Sequence, residues 1–247
     1  MIPYERQEKI IRLLADKDLV KIDQLQESFP GVSLSTLRRD LKTLEKDGRI
    51  EYLNGGGIKS APGTGELPMA EKSSLHAEEK QAIAVRAAEE VLDGESIYID
   101  SGSNSALLFD RLLSRHITIY TTNTAVFSVA KEITATIVIL GGRYTPEISS
   151  ISGTLTENNL RDLYFDRAFL GVNGIDDVNG VTTPNISEAT KKRLIRENAK
   201  KTYLLCDHSK FHRTSTVRAF DLEDLVVISD QIDPLIKKHV PILLPES

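Results

Sequence analysis

Ser33-Leu34-Ser35-Thr36-Leu37-Arg38-Arg39-Asp40-Leu41-Lys42 sets hydroxyls, cations and leucines at helical spacing. Leu34, Leu37, Leu41 and Leu44 recur at steps of three and four, which places them on one helix face. Ser35, Thr36, Arg38, Arg39 and Lys42 fall mostly on the other, and Ser33 is a natural N-cap. Arginine grips phosphate or guanine and hydroxyls touch base edges, so such a helix suits the DNA major groove. An ordinary amphipathic surface helix carries the same pattern.

A second group of chemistry-bearing residues follows a series of apolar runs: Asp100-Ser101-Gly102-Ser103-Asn104, Thr121-Thr122-Asn123, Gly141-Gly142-Arg143, Asn173-Gly174-Ile175-Asp176 and Asp207-His208-Ser209-Lys210. If the runs are strands of one wound sheet, these loops share an edge, as a small polyhydroxy ligand requires. In the first loop Gly102 lets the backbone come close, Ser101, Ser103 and Asn104 supply donors, and a helix N-terminus behind them favours a phosphate. Lys210 can neutralise a phosphate or bond a sugar oxygen, and Asp100 can accept from a sugar hydroxyl. The plain alternatives are a capped strand-to-helix turn, a solvated lysine and a structural aspartate. Asn185-Ile186-Ser187-Glu188 fits an N-cap with an acidic third helical position, and Lys191 reads as solvent-facing. His208 beside Asp207 has no nucleophile elbow, HExxH or metal-ligand spacing with it, so neither catalysis nor a metal or cofactor is expected.

The elements that position these residues follow from periodicity. Tyr4 to Asp16 and Val20 to Phe29 read as helices, and Pro30-Gly31 breaks the chain before the third, giving a helix-turn-helix. Gly48 reads as a C-terminal stop, Arg49 to Leu53 as a strand, Asn54-Gly55 as its turn and Ile58-Lys59 as the return strand. That completes a winged helix whose Arg49 and Lys59 join Arg38, Arg39 and Lys42 as phosphate contacts. Ser60 to Pro68 is rich in Gly and Pro, and patterning resumes near Leu75. The expected organisation is therefore a DNA-binding domain over 1–59, a linker over 60–74 and an α/β domain over 75–247. In that last part helices over 76–92, 104–113, 124–132, 155–163, 187–200 and 234–239 alternate with strands over 96–99, 117–120, 136–140, 167–172, 202–206 and 225–229. Near-continuous apolar strands such as TIVIL, AFLGV and LVVIS suit an open parallel sheet covered on both faces.

Composition narrows the function classes. At 247 residues and 40 % hydrophobic the chain can build one large and one small domain. It has no apolar run of membrane-spanning length and no leader-like N-terminus, and its single cysteine, Cys206, lies in an apolar strand as a core residue, which fits a reducing cytoplasm. Net charge is −5, yet residues 1–60 hold 11 basic and 10 acidic side chains. So slight an excess binds phosphate weakly, which favours a homo-oligomer presenting two or more DNA-binding domains.

Residues 3–59 resemble the DNA-binding domain of the DeoR family of bacterial transcriptional regulators, through Thr36-Leu37-Arg38-Arg39-Asp40-Leu41, Leu44-Glu45-Lys46-Asp47-Gly48 and Gly55-Gly56-Gly57. Leu34 stands where an acidic residue is common and Gly57 where alanine is usual. Asp100-Ser101-Gly102-Ser103, Thr122-Asn123, Gly141-Gly142, Phe169-Leu170-Gly171-Val172-Asn173-Gly174, Thr182-Thr183 and Asp207-His208-Ser209-Lys210-Phe211 resemble motifs of that family's sensor domain, with Asn104 where threonine is usual. The resemblance implies a sensor similar in fold to ribose-5-phosphate isomerase and glucosamine-6-phosphate deaminase. It further implies a phosphorylated-sugar effector, double-stranded operator DNA as partner and, most often, repression of carbohydrate uptake or catabolism genes. Two other readings stand beside it: a sugar-phosphate isomerase or deaminase with an appended domain, and a DNA-binding protein whose second domain only oligomerises.

Overall fold

Leu37, Leu41 and Leu44 are buried, and they seat α3 (Leu34–Lys46) against α1 (Pro3–Ala15) and α2 (Ile22–Glu27), where Ile10, Ile11, Leu14, Leu25 and Phe29 complete the core. The computed structural model describes residues 2–15, 19–46, 49–53, 56–60 and 69–246. Within it the chain divides into two units, Met1–Leu67 and Pro68–Ser247.

The first unit is a winged helix-turn-helix whose wing has three strands. β1 (Val20–Lys21), β2 (Ile50–Leu53) and β3 (Gly57–Ser60) form an antiparallel sheet in the order β1-β3-β2. Val20 and Lys21, expected to open the second helix, pair instead with Ile58 and Gly57. β-branched Val20 is buried in this extended state, and the Lys21 N–H is taken by the Gln24 side chain at the start of α2. At its other end α2 stops at Glu27, and Phe29 drops into the core. Arg6 and Asp40 clamp α1 to α3, Nε to Oδ2 at 2.7 Å and Nη2 to Oδ1 at 3.3 Å. Gly48, the Asn54-Gly55 turn and residues 61–68 of the expected linker lie outside the described residues.

In the second unit α4 (Met69–Ser74) and α5 (Ala77–Glu89) come first. Residues 69–74 are thus helical rather than part of a linker. β4 (Ser96–Ile99), α6 (Ser103–Leu112), β5 (Thr118–Thr121) and β6 (Thr136–Ile139) follow, then a hairpin of β7 (Arg143–Thr145) and β8 (Ser150–Ser152), and α7 (Thr154–Arg161). Next come β9 (Arg167–Gly171), β10 (Gly174–Asp176), β11 (Gly180–Thr183), α8 (Ile186–Glu197), β12 (Thr202–Leu205), β13 (Val217–Phe220), β14 (Val226–Ile228) and β15 (Ile242–Leu243).

Seven parallel strands run in the order β15-β14-β12-β9-β4-β5-β6, and alternate residues of each point to opposite faces. Tyr98, Ala168, Leu170 and Leu204 meet Leu160, Ala189 and Ile195 of α7 and α8. Ile97, Ile99, Phe169, Tyr203 and Leu205 meet Ile83, Ala87, Leu108 and Leu112 of α5 and α6. Two expectations change here. Residues 124–132 hold only a 3-10 turn, Thr124–Ser128, because Thr124, Val126 and Val129 are stiff β-branched residues that favour helix little. The short helix expected over 234–239 is likewise a single turn, Ile236–Lys238. The structure also adds an antiparallel sheet, β10-β11-β13, that the alternation of strand and helix did not announce.

The Arg6–Asp40 clamp makes a stability prediction. Asp40→Ala takes a buried carboxylate from a buried guanidinium and is expected to cost about 3 kcal/mol. Faster amide exchange across residues 34–46, with residues 96–121 unchanged, is the measurement that checks it.

Candidate functional site

In the first unit the helix-turn-helix geometry brings the expected cations together. Arg38, Arg39 and Lys42 are all exposed on the side of α3 opposite its buried leucines. Ser33 caps the helix: its Oγ accepts from Thr36 N at 3.2 Å and lies 2.9 Å from Ser35 Oγ and 2.8 Å from Thr36 Oγ1. The three hydroxyls are therefore shared among themselves at the helix start. Arg49 is half-buried, and its N–H donates to Leu44 O at 2.8 Å, closing the end of α3. Lys59 faces Glu51 across the wing, Nζ to Oε2 at 3.0 Å, so its charge is already shared. Gly57 lies under Leu19; a methyl there would sit 2.8 Å from Leu19 Cδ1, a flexible side-chain end that would have to move.

In the second unit β4 is followed by β5 and β6 on one side, and the chain then crosses to β9 on the other. The switch point lies between β4 and β9, where open α/β sheets open a crevice beyond their strand ends. Asp100 sits there, fully buried. Lys192 bonds its Oδ2 and also donates to Gly171 O at 2.8 Å, spanning the ends of β4 and β9. Lys191 Nζ lies 3.5 Å from Asp100 Oδ1 and donates to Thr122 Oγ1 at 3.1 Å, Ser150 Oγ at 2.9 Å and Glu188 Oε1 at 3.0 Å. Ser150 Oγ donates to Glu188 at 2.9 Å, and the Tyr98 hydroxyl pairs with Thr122 Oγ1 at 2.7 Å. Burial opposes the charge on Asp100, but Lys192 and Lys191 overcome it and hold the carboxyl below its usual range. Burial likewise opposes the Lys191 ammonium, and Glu188 and Asp100 hold it above the ordinary lysine value.

Lys191 is thus not solvent-facing but wholly buried, and Glu188 turns inward to it instead of back to Asn185. Asn185 still caps α8 with its own Oδ1, which accepts from Ser187 N at 2.8 Å and Glu188 N at 3.4 Å. The signal for this was available: Glu188, Lys191, Lys192 and Ile195 are spaced as one helix face.

The other candidates fall into place around this cluster. Asn123 Nδ2 donates to Asp100 O at 3.3 Å, and its Oδ1 caps the following turn at Ala125 N. Gly102 adopts φ 123°, a backbone that favours glycine, and precedes Ser103 and Asn104 at the start of α6. Among the described residues, Asp100 Oδ1, Asn104 Oδ1 and Ser105 Oγ are buried without a hydrogen-bond partner. Ser101 is buried beside them. Gly141 is exposed, with its carbonyl bonded to Thr156. Asn173 accepts from Thr183 Oγ1 at 3.2 Å. Gly174 is held by packing in β10, where a methyl would sit 2.2 Å from Arg213 O. Asp207 is buried; Ser209 bonds its Oδ1, while its Oδ2 has no hydrogen-bond partner among the described residues. Burial works against its charge, and Lys210, Ser209 and Lys80 outweigh that and hold it low. His208 Nδ1 pairs with Asp230 Oδ2 at 2.6 Å, not with Asp207. Asp176, Asp177 and His212 bring possible ligand atoms within 4.8 Å of one another, but Asp176 Oδ1 accepts from Val178 N, Asn179 N and Asn179 Nδ2 and closes the β10–β11 turn.

Comparison with known proteins places both units. The family model described as the DeoR C-terminal sensor domain matches residues 75–231, and the DeoR-like helix-turn-helix domain matches residues 6–60. The chain is 32 % identical over 226 residues to the HTH-type transcriptional regulator GlpR of Haloferax volcanii, covering 91 % of this chain and 88 % of that one. It is 31 % identical to the HTH-type transcriptional regulator IolR of Bacillus subtilis, covering 87 % and 86 %. Among solved structures, ribose 5-phosphate isomerase A of Methanocaldococcus jannaschii overlaps 53 % of each chain at 20 % identity with a TM-score of 0.38, a partial likeness of fold alone. Among the described residues, no helix is long and apolar enough to cross a membrane.

The buried cluster gives the second unit a pH signature. A carboxyl held low in the folded chain stabilises it above the unfolded value of about 3.9 and loses that contribution as pH falls through the folded value. Denaturant midpoints of the intact chain are therefore expected to fall as pH drops below about 4. Asp100→Asn is expected to be less stable at pH 7 and to lose less on acidification, and an equally steep acid loss in that variant would refute the assignment.

Proposed function

Because this chain belongs to the DeoR family of DNA-binding transcriptional regulators, we propose that it represses carbohydrate uptake or catabolism genes under the control of a phosphorylated sugar. The observation that carries the effector reading is the turn from β4 into α6. There, among the described residues, Asn104 Oδ1 and Ser105 Oγ are buried with no hydrogen-bond partner, and Asp100 Oδ1 has only its 3.5 Å ion pair with Lys191, beside the N-terminus of a ten-residue helix. Buried acceptors call for donors, which sugar hydroxyls supply, and the first N–H groups of a helix suit a phosphate. Asp100, Lys191, Lys192 and Glu188 already balance one another, so these two lysines are not free to take the anion. That task falls to the α6 N-terminus and Lys210.

On the DNA side, α3 supplies Arg38, Arg39 and Lys42 to the groove and its flanking phosphates, with Arg49 and Lys59 along the wing. Two or more copies acting together make up for the slight positive charge of each head. Control is linkage: an effector that prefers the arrangement unable to grip the operator shifts the population toward it, and a ~10–100-fold difference in affinity suffices.

A melting-temperature screen against phosphorylated sugars tests the effector. One or more members are expected to raise Tm, whereas a flat response across the panel would leave a second domain that only oligomerises. Arg38→Ala or Arg39→Ala is expected to abolish binding to DNA from the chain's own promoter region in a fluorescence-anisotropy titration, with the sensor's Tm response intact. Wild-type affinity in both variants would refute the recognition-helix assignment.

A further inference from the structure

We infer that Lys80 is a positioning residue that transmits occupancy of the loop after β12 to α4, the helix that follows residues 61–68. The inference rests on the sugar-phosphate reading above and adds a route to it.

Lys80 projects from α5 and is almost fully buried at 3 % exposure. Its ammonium donates to the main-chain oxygens of Lys72 and Leu75, at and just beyond the last turn of α4. A six-residue helix is marginal alone, and a cation at its C-terminal carbonyls favours it. Burial pushes the Lys80 ammonium below its ordinary pKa, and the negative charge of Asp207 opposes that push. Asp207 in turn has Lys210, Ser209, Lys80 and His76 as its electrostatic neighbours. A second contact ties the same places together: His76, the left-handed residue before α5, packs edge-on to His208 with ring centroids 4.9 Å apart. The junction of α4 and α5 thus touches the β12 loop at His76, and Lys80, bonded to α4, lies in the field of Asp207, whose buried Oδ2 has no hydrogen-bond partner among the described residues.

An anion that engages Lys210 and Ser209 removes two of Asp207's partners. Asp207 then draws the Lys80 ammonium toward itself and away from the carbonyls of Lys72 and Leu75, and α4 loosens. Lys80 belongs to neither the β4–α6 turn nor the recognition helix, so it can be changed without touching either.

Hydrogen exchange of the full chain, with inorganic phosphate as probe against chloride at matched ionic strength, tests this. In the wild type, phosphate is expected to slow exchange across residues 100–106 and to speed it across 69–75 by roughly fivefold, the lower end of couplings between linked sites. Lys80→Met is expected to keep the slowing at 100–106 and lose the phosphate response at 69–75. Lys80→Gln, which keeps donors for α4 but drops the charge, is expected to lose that response too and carries the test if Lys80→Met does not fold. A response at 69–75 that survives in the neutral variants, or wild-type slowing at 100–106 with no change at 69–75, would overturn the route and leave the sugar-phosphate reading standing. No slowing at 100–106 in the wild type would overturn both.

Discussion

A carboxylate sealed from water with two ammonium groups is the constraint on which the second unit turns. Asp100 and Lys192 are 92 residues apart in sequence, yet their pairing fixes the end of β4 to α8 and, through Gly171, to the end of β9. Lys191 extends the same hold to Thr122 after β5 and to Ser150 in β8. Removing any one charge leaves another stranded where water cannot solvate it. The same balance leaves Lys191 and Lys192 with their charges matched inside the chain, beside buried acceptors on the turn from β4 into α6.

The first unit uses a smaller version of this device. Arg6 and Asp40 meet on the inner side of the helix whose outer side carries Arg38 and Arg39. The clamp and the leucines set the rotation of α3, and rotation decides which side chains face a groove. Position within a helix thus separates the acidic residue that builds the head from the cations that would read with it.

Much of this was legible in the sequence because the dominant forces leave periodic traces. The leucines of α3 and the apolar runs of β4, β9, β12 and β14 appear where spacing and composition place them, with ends shifted by a residue or two. Short strands with polar residues were not legible: GVTT in β11 is wholly buried, but periodicity assigned it no element. Asn179-Gly180 at its start, with Gly180 at φ 69°, was an available hairpin signal. The inward turn of Lys191 escaped because pattern reading assigns lysine to water, whereas a prepaid carboxylate reverses that preference. Val20 joined a sheet because its partner, Ile58, lies 38 residues away, beyond any local window.

Cys206 carries a practical consequence. It is the chain's one thiol, it lies buried just after β12, and burial pushes it well above its ordinary pKa, so thiolate is scarce and shielded. A maleimide dye will therefore ignore the native protein and label a cysteine engineered on the surface. Spectroscopic rulers between the two units can be installed without first building a cysteine-free background.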